Sequence, residues 1–224
     1  MGSIHLPVIV AVVIAYLAGS FPSAYLAGKW HGVDLRQHGS GNLGATNVVR
    51  VLGIRIGALV FIADTLKGFL PVFFLPVLTG TMHPEILSLT IGGAAILGHV
   101  RPVFLLGQKG GKGVATAGGV FLGVAWLPAL IAIAVFIVVF ATSRFVSVAS
   151  LSAALALPFA FLITGASISD SYFIASVVVS AFVFVTHRAN IGRLRRGEEP
   201  RFTRGRSGAS DPPATTHRMR GPLI

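Results

Sequence analysis

The sequence predicts an all-α integral membrane protein of seven transmembrane helices, with the N-terminus outside and the C-terminus cytosolic. Three observations predict it. Of the 224 residues, 54% are hydrophobic and only 11% are charged, whereas a soluble domain carries about 25% charged residues. Mean hydropathy is +0.81, and the apolar runs approach the roughly 20 residues that a helix needs to cross about 30 Å of hydrocarbon. The formal net charge of +11 gathers in the short polar stretches between those runs, outside the lipid. The chain has no cysteine, which excludes a disulfide framework, a thiolate metal site and any thioester on the enzyme.

Cutting at polar clusters gives spans at 6–28, 55–79, 85–106, 114–126, 128–142, 146–165 and 171–187. The first run lacks a basic leader and an A-x-A cleavage site, so it is expected to remain as a span and not to be a signal peptide. The second holds Asp64 and Lys67 three residues apart, on one helix face. A charged pair inside a span needs a reason, and a mutual ion pair orienting the helix is expected over direct catalysis. Val114 to Thr142 is long enough for one tilted helix. It is cut at Trp126-Leu127-Pro128, because merging it would strand Arg144 and the arginines from Arg188 to Arg220 on the outer side. With the cut, every basic residue except Lys67 falls in an inner segment. The outer segments around Thr79 to Glu85, Trp126 to Pro128 and Gly165 to Asp170 have none, as the positive-inside rule requires. These features divide the chain into a membrane domain, residues 1–196, and a basic cytosolic tail, residues 197–224, whose Pro, Gly, Ser, Thr and Arg read as disordered. That tail suits attraction to the anionic inner leaflet or plain solvation. No tandem or inverted repeat of the transporter type is evident.

Two inner loops carry chemistry-bearing residues. The first, His38 to Arg50, combines Gly39, Gly41 and Gly44 with the donors Ser40, Asn42, Thr46 and Asn47 and one guanidinium, Arg50, suited to a two-point phosphate contact. Its G-x-G-x-x-G spacing is not a dinucleotide fingerprint, because a membrane helix and not a strand precedes it. Read as residues alone, it serves as a phosphate cradle or as a flexible turn with a snorkelling arginine. The second, Gln108-Lys109-Gly110-Gly111-Lys112-Gly113, enters a helix at Val114, where free N–H groups and the helix dipole favour an anion. It is not a Walker A loop, since Leu106 stands at the first glycine and Gly113 replaces the Mg²⁺-binding Ser/Thr. It suits phosphate without a nucleotide or a metal, or acts as a topology signal only. Ser143-Arg144 and His187-Arg188-Ala189-Asn190 lie at inner helix ends, where such residues also serve structural roles. The chain has no H-x-x-x-x-D pairing of the coenzyme A dependent glycerolipid acyltransferases, no G-x-S-x-G and no H-E-x-x-H.

At these residues the chain resembles the bacterial acyl-phosphate dependent glycerol-3-phosphate acyltransferases of phospholipid synthesis. The resemblance runs from about Ala18 to Glu199. It rests on Gly19-Ser20-Phe21-Pro22 with Lys29, His38 to Arg50, Asp64 with Lys67-Gly68, Gly98-His99 with Pro102, Gly110 to Thr116, and His187 to Glu199, in one order. Two departures stand out: the stretch from Pro102 to Lys109 is one residue longer than usual, and Ala189 replaces a common glutamate.

The resemblance implies seven helices with an outer N-terminus, in the bacterial cytoplasmic membrane, and an active site facing the cytosol. It places the essential serine and arginine at Ser40 and Arg50, the phosphate loop at Gly110 to Gly113, and the C-terminal histidine and asparagine at His187 and Asn190. A structural glutamate falls at Glu199 and a serine beside the substrate at Ser143. The implied substrates are acyl phosphate and glycerol 3-phosphate, with the lipid bilayer as surroundings and no cofactor, metal, nucleotide or nucleic acid. The general base is His187 or a phosphate of the substrate, whose second pKa is near 6. A transporter of an organic phosphate would use the same anion-binding residues. Their clustering on one side of the membrane, away from the midplane, disfavours it.

Overall fold

The computed structural model describes residues 6–106 and 108–202. The tail expected from residue 197 therefore lies outside the described residues beyond Phe202. Helix is the regular structure throughout the described residues. Five helical stretches are long and apolar enough to cross a membrane: Val8–Trp30, Ile54–Thr79, Pro84–Leu105, Trp126–Ser143 and Val146–Ile163. A sixth arises if Ser171–Thr186 and Arg188–Arg195, bent by 58°, form one span.

The first stretch is broken where one continuous span was expected. Helices α1 (Val8–Ser20) and α2 (Ser23–Trp30) meet at Phe21-Pro22, because proline has no N–H to continue the ladder. The Phe21 carbonyl at this break accepts hydrogen bonds from Ser23 N–H at 3.0 Å and from Lys67 Nζ at 3.1 Å. The glycine-rich stretch expected as a loop also contains a helix, α3 (Ala45–Leu52), so Arg50 projects from a helical face. Helix α4 (Ile54–Thr79) follows and α5 (Pro84–Val100) comes next, ending in a short 3₁₀ turn at Val103–Leu105.

Helix α6 (Val114–Val124) has 11 residues, about 16 Å of rise, roughly half the hydrocarbon thickness. Helix α7 (Trp126–Ser143) follows after a break at Ala125, whose φ is −154° and ψ is 73°. The break thus precedes the expected Trp126-Leu127-Pro128. Pro128 fits inside α7 because first-turn N–H groups have no helical partner in any case. Helices α8 (Val146–Ile163), α9 (Ser171–Thr186) and α10 (Arg188–Arg195) complete the chain.

Helix α4 is the central post, in contact with α1, α3, α5 and α6, while α7 pairs with α8 and α8 with α9. Contact between α4 and α6 is close: a β-carbon at Gly68 would strike the Thr116 carbonyl, and one at Gly119 the Thr65 carbonyl. Small residues permit this backbone approach, which supplies packing where lipid offers no hydrophobic drive. One apolar cluster joins α1, α4, α5 and α6 through Ala15, Val72, Ile91 and Val120. A second, with Phe121, Ala129 and Leu157, joins α6, α7 and α8.

Candidate active site

A buried cluster of charge links the broken first span to α4 and α5. Asp64 is 1% exposed and pairs with Lys67 at 2.8 Å, one turn along α4. Its Oδ1 also accepts from the Ser23 hydroxyl at 2.5 Å and lies 3.6 Å from His99 Nδ1. Ser23 opens α2 and His99 is near the end of α5, so three segments meet on one carboxylate. The role of His99 and Ser23 was not visible in sequence.

The end of α5 in turn carries the second glycine loop. Gly110 N–H donates to the Val100 carbonyl at 3.0 Å and Gly111 N–H to that of His99 at 3.2 Å. A β-carbon at Gly111 would collide with the His99 ring. These two amides are therefore engaged, contrary to the expectation that they face an anion. The residues that do line the adjoining cavity are Lys112, Gly113, Val114 and Ala115, where the unpaired first-turn N–H groups of α6 begin. Gly113 has φ +86°, a left-handed turn that glycine adopts without strain and that aims the chain into α6. Lys109 is exposed and stands apart from the cavity, as do Gly110 and Gly111.

In the first loop, Asn47 is 1% exposed and directs its side chain to the backbone. Its Oδ1 accepts from Ser40 N–H at 2.7 Å, and its Nδ2 donates to the Leu35 and His38 carbonyls at 3.0 Å each. The oxygen occupies the space a β-carbon on Gly39 would need. Asn47 thus holds the turn that presents Ser40, and it lines the cavity together with Ser40, Asn42, Gly44, Thr46 and Arg50. Gly39 and Gly41, both at positive φ, shape the turn from outside the cavity.

The cavity, about 380 Å³, is completed by His187, Asn190 and Glu199. Lys112 Nζ donates to Asn190 Oδ1 at 2.5 Å. Asn190 Nδ2 donates to Glu199 Oε1 at 2.7 Å, and Arg193 Nε to Glu199 Oε2 at 2.7 Å. Burial pulls the Lys112 pKa down to about 8; Glu199 opposes this, while Arg193 and Arg50 add to it. Burial also lowers that of Arg50. A half-buried ammonium and a guanidinium facing one cavity favour an anionic occupant. His187 Nδ1 lies 2.8 Å from the Val183 carbonyl. A proton on Nδ1 satisfies that contact and leaves Nε2 as the acceptor in the neutral ring.

Ser143 gives its hydroxyl to the Val139 carbonyl of its own helix at 2.6 Å and is not among the lining residues. Ser147 and Ser150, beyond the corner on α8, do line the cavity. Asp64 and His99 also reach its wall, which sequence spacing did not reveal. A second cavity of about 270 Å³, walled by residues such as Phe121, Ala129, Ala132 and Leu157, adjoins the first. Phe61, Val114, Ala115, Phe136 and Ser150 line both.

These features define an integral membrane protein whose site sets two cations beside an apolar recess. The family model described as Glycerol-3-phosphate acyltransferase matches residues 9–197. The chain belongs to the glycerol-3-phosphate acyltransferase family. It is 47% identical over 196 residues to the glycerol-3-phosphate acyltransferase of Geotalea daltonii, covering 88% of this chain and 98% of the relative. With that of Geobacter sulfurreducens the identity is 44% over 194 residues, 87% of this chain and 97% of the relative. The fold matches a crystal structure of PlsY (YgiH), an integral membrane glycerol 3-phosphate acyltransferase, in its glycerol 3-phosphate form. The TM-score is 0.79 and the identity 41%, over 88% of this chain and 96% of that one. The lysophosphatidic acid form of the same protein matches with TM-score 0.77 and 40% identity, over the same shares.

Proposed function

We propose that this protein transfers a fatty acyl group from acyl phosphate to the sn-1 hydroxyl of glycerol 3-phosphate, giving 1-acylglycerol 3-phosphate and inorganic phosphate, the first acylation of phospholipid synthesis. The observation that carries this reading is the junction of the two cavities: Lys112, Arg50 and the start of α6 face one, and an apolar recess continues from it. Both substrates carry phosphate, and one carries a long chain.

An acyl phosphate is a mixed anhydride and is already activated, so the enzyme's task is to bring two anions together against their repulsion. Lys112, Arg50 and the first-turn amides of α6 supply the positive charge, and Ser40, His187 and Asn190 orient the acceptor. The glycerol hydroxyl oxygen bonds to the acyl carbonyl carbon, the bond from that carbon to the phosphate oxygen breaks, and phosphate departs. The hydroxyl proton passes to a substrate phosphate oxygen, with His187 Nε2 positioning the hydroxyl. Asp64, Lys67 and Glu199 hold the frame.

Purified protein given palmitoyl phosphate and glycerol 3-phosphate is expected to form lysophosphatidate. Formation from palmitoyl coenzyme A and none from palmitoyl phosphate would overturn the reading.

The same proposal includes the bacterial cytoplasmic membrane, seven crossings with α6 and α9 included, and a site open to the cytosol. The basic residues of the inner segments support it. Cysteines placed singly at Ser40 and Met82 of this cysteine-free chain are expected to be labelled from the cytosolic and the outer face respectively. Labelling of both from one face refutes the orientation.

A further inference from the structure

The chain does not leave the site at Glu199. Beyond the contacts of Glu199 with Asn190 and Arg193, the Pro200 carbonyl lies 3.4 Å from Arg50 Nη2. The Arg201 guanidinium stands 5.2 Å from the centre of the Phe145 ring. Phe202 N–H donates to the Arg144 carbonyl at 2.7 Å. Arg144, at φ +62°, closes α7 in a left-handed turn. Residues 199–202 thus form a strap tied in succession to α10, α3 and the α7–α8 corner. The boundary expected at 196/197 falls short of it.

The strap delivers one apolar side chain to the site. Phe202 lines the cavity that Lys112 and Arg50 face and meets Phe140 edge-on, with centroids 5.3 Å apart. Phe140 stacks on Phe136 at 6.0 Å, one turn along α7, and Phe136 lines both cavities. An aromatic run therefore leads from the strap to the apolar recess.

We propose that Phe202 is a specificity-determining residue for the acyl donor: held over Phe140 by the strap, its ring is the wall along which the acyl chain passes from the phosphate site to the apolar recess. This rests on the acyl-phosphate reading above. Nothing polar on Phe202 can serve glycerol 3-phosphate, so its effect belongs to one substrate. Each methylene that loses an apolar neighbour weakens donor binding by a factor of about two to four.

The test measures KM for each substrate in detergent-purified protein. Phe202→Ala is expected to raise KM for palmitoyl phosphate by about 5- to 20-fold, to leave KM for glycerol 3-phosphate within about twofold, and to be rescued by Phe202→Leu. Arg201→Ala, which loosens the strap without entering the cavity, should raise the same KM by less. A merely structural role would move both KM values together. Equal rises in both, or an unchanged KM for palmitoyl phosphate in Phe202→Ala and Arg201→Ala alike, would overturn the proposal. Wild-type inactivity with palmitoyl phosphate would instead overturn the reading on which it rests, and that control is run first.

Discussion

Lys112→Ala is expected to lower kcat/KM by about 10- to 150-fold, the value of one charge-assisted contact of roughly 1.5 to 3 kcal/mol. The Lys112 ammonium is half-buried and held by Asn190 at 2.5 Å. Its pKa of about 8, lowered first by burial, gives the effect a pH signature. Phosphate binding needs the protonated form, which is fully present only well below pH 8 and is lost as pH rises through it. The wild-type kcat/KM profile should therefore decline on the alkaline side near pH 8, and Lys112→Ala should lack that limb. Arg50→Lys should lose activity comparably although it keeps its charge, because an ammonium cannot reproduce the planar two-point grip. A Lys112→Ala enzyme within about threefold of wild type, its alkaline limb intact, would show that the lysine does not hold phosphate.

The largest effect on stability is expected at Asp64. Removing one partner of a buried ion pair leaves an uncompensated charge and costs about 3 to 5 kcal/mol. Asp64→Ala would strand Lys67 inside the membrane, with the Phe21 carbonyl as its remaining recorded acceptor, and would unfasten Ser23 and His99. Thermal unfolding in detergent should show a large drop in midpoint. The double replacement Asp64→Ala with Lys67→Met should recover part of it, since the stranded charge is then gone. An Asp64→Ala protein as stable as wild type would mean that the cluster contributes nothing to the fold.

Most of the helices were legible because lipid imposes a simple rule: apolar length marks them. The Asp64–Lys67 pair was legible too, since i, i+3 spacing places both on one face. His99 and Ser23 were not, because they come from other apolar segments, and spacing along one helix says nothing about which helices touch. Helix α3 was hidden by the preceding glycines, which obscured the apolar face of Ala45–Leu52. The glycines of the second loop were read as free amides, but those of Gly110 and Gly111 are engaged. Gly110 and Gly111 approach the end of α5, and only from Lys112 onward does the loop face the cavity. Ser143 ends α7 while Ser147 and Ser150 lie on α8, and only the packing of α8 against the site distinguishes them.

The junction of the two cavities has an energetic consequence for the proposed reaction. Drawing an acyl chain out of hydrocarbon into water costs about 0.8 kcal/mol per methylene, so a chain of about 15 methylenes would face a penalty near 12 kcal/mol. A recess that meets the phosphate site inside the helices removes this desorption step from the cycle. Only the headgroup is exchanged: water-soluble phosphate and glycerol 3-phosphate come and go on one side, while the chain stays in oil throughout. On the proposed reaction, the site would operate at a phase boundary, and supply of the chain would not depend on the solubility of a free lipid.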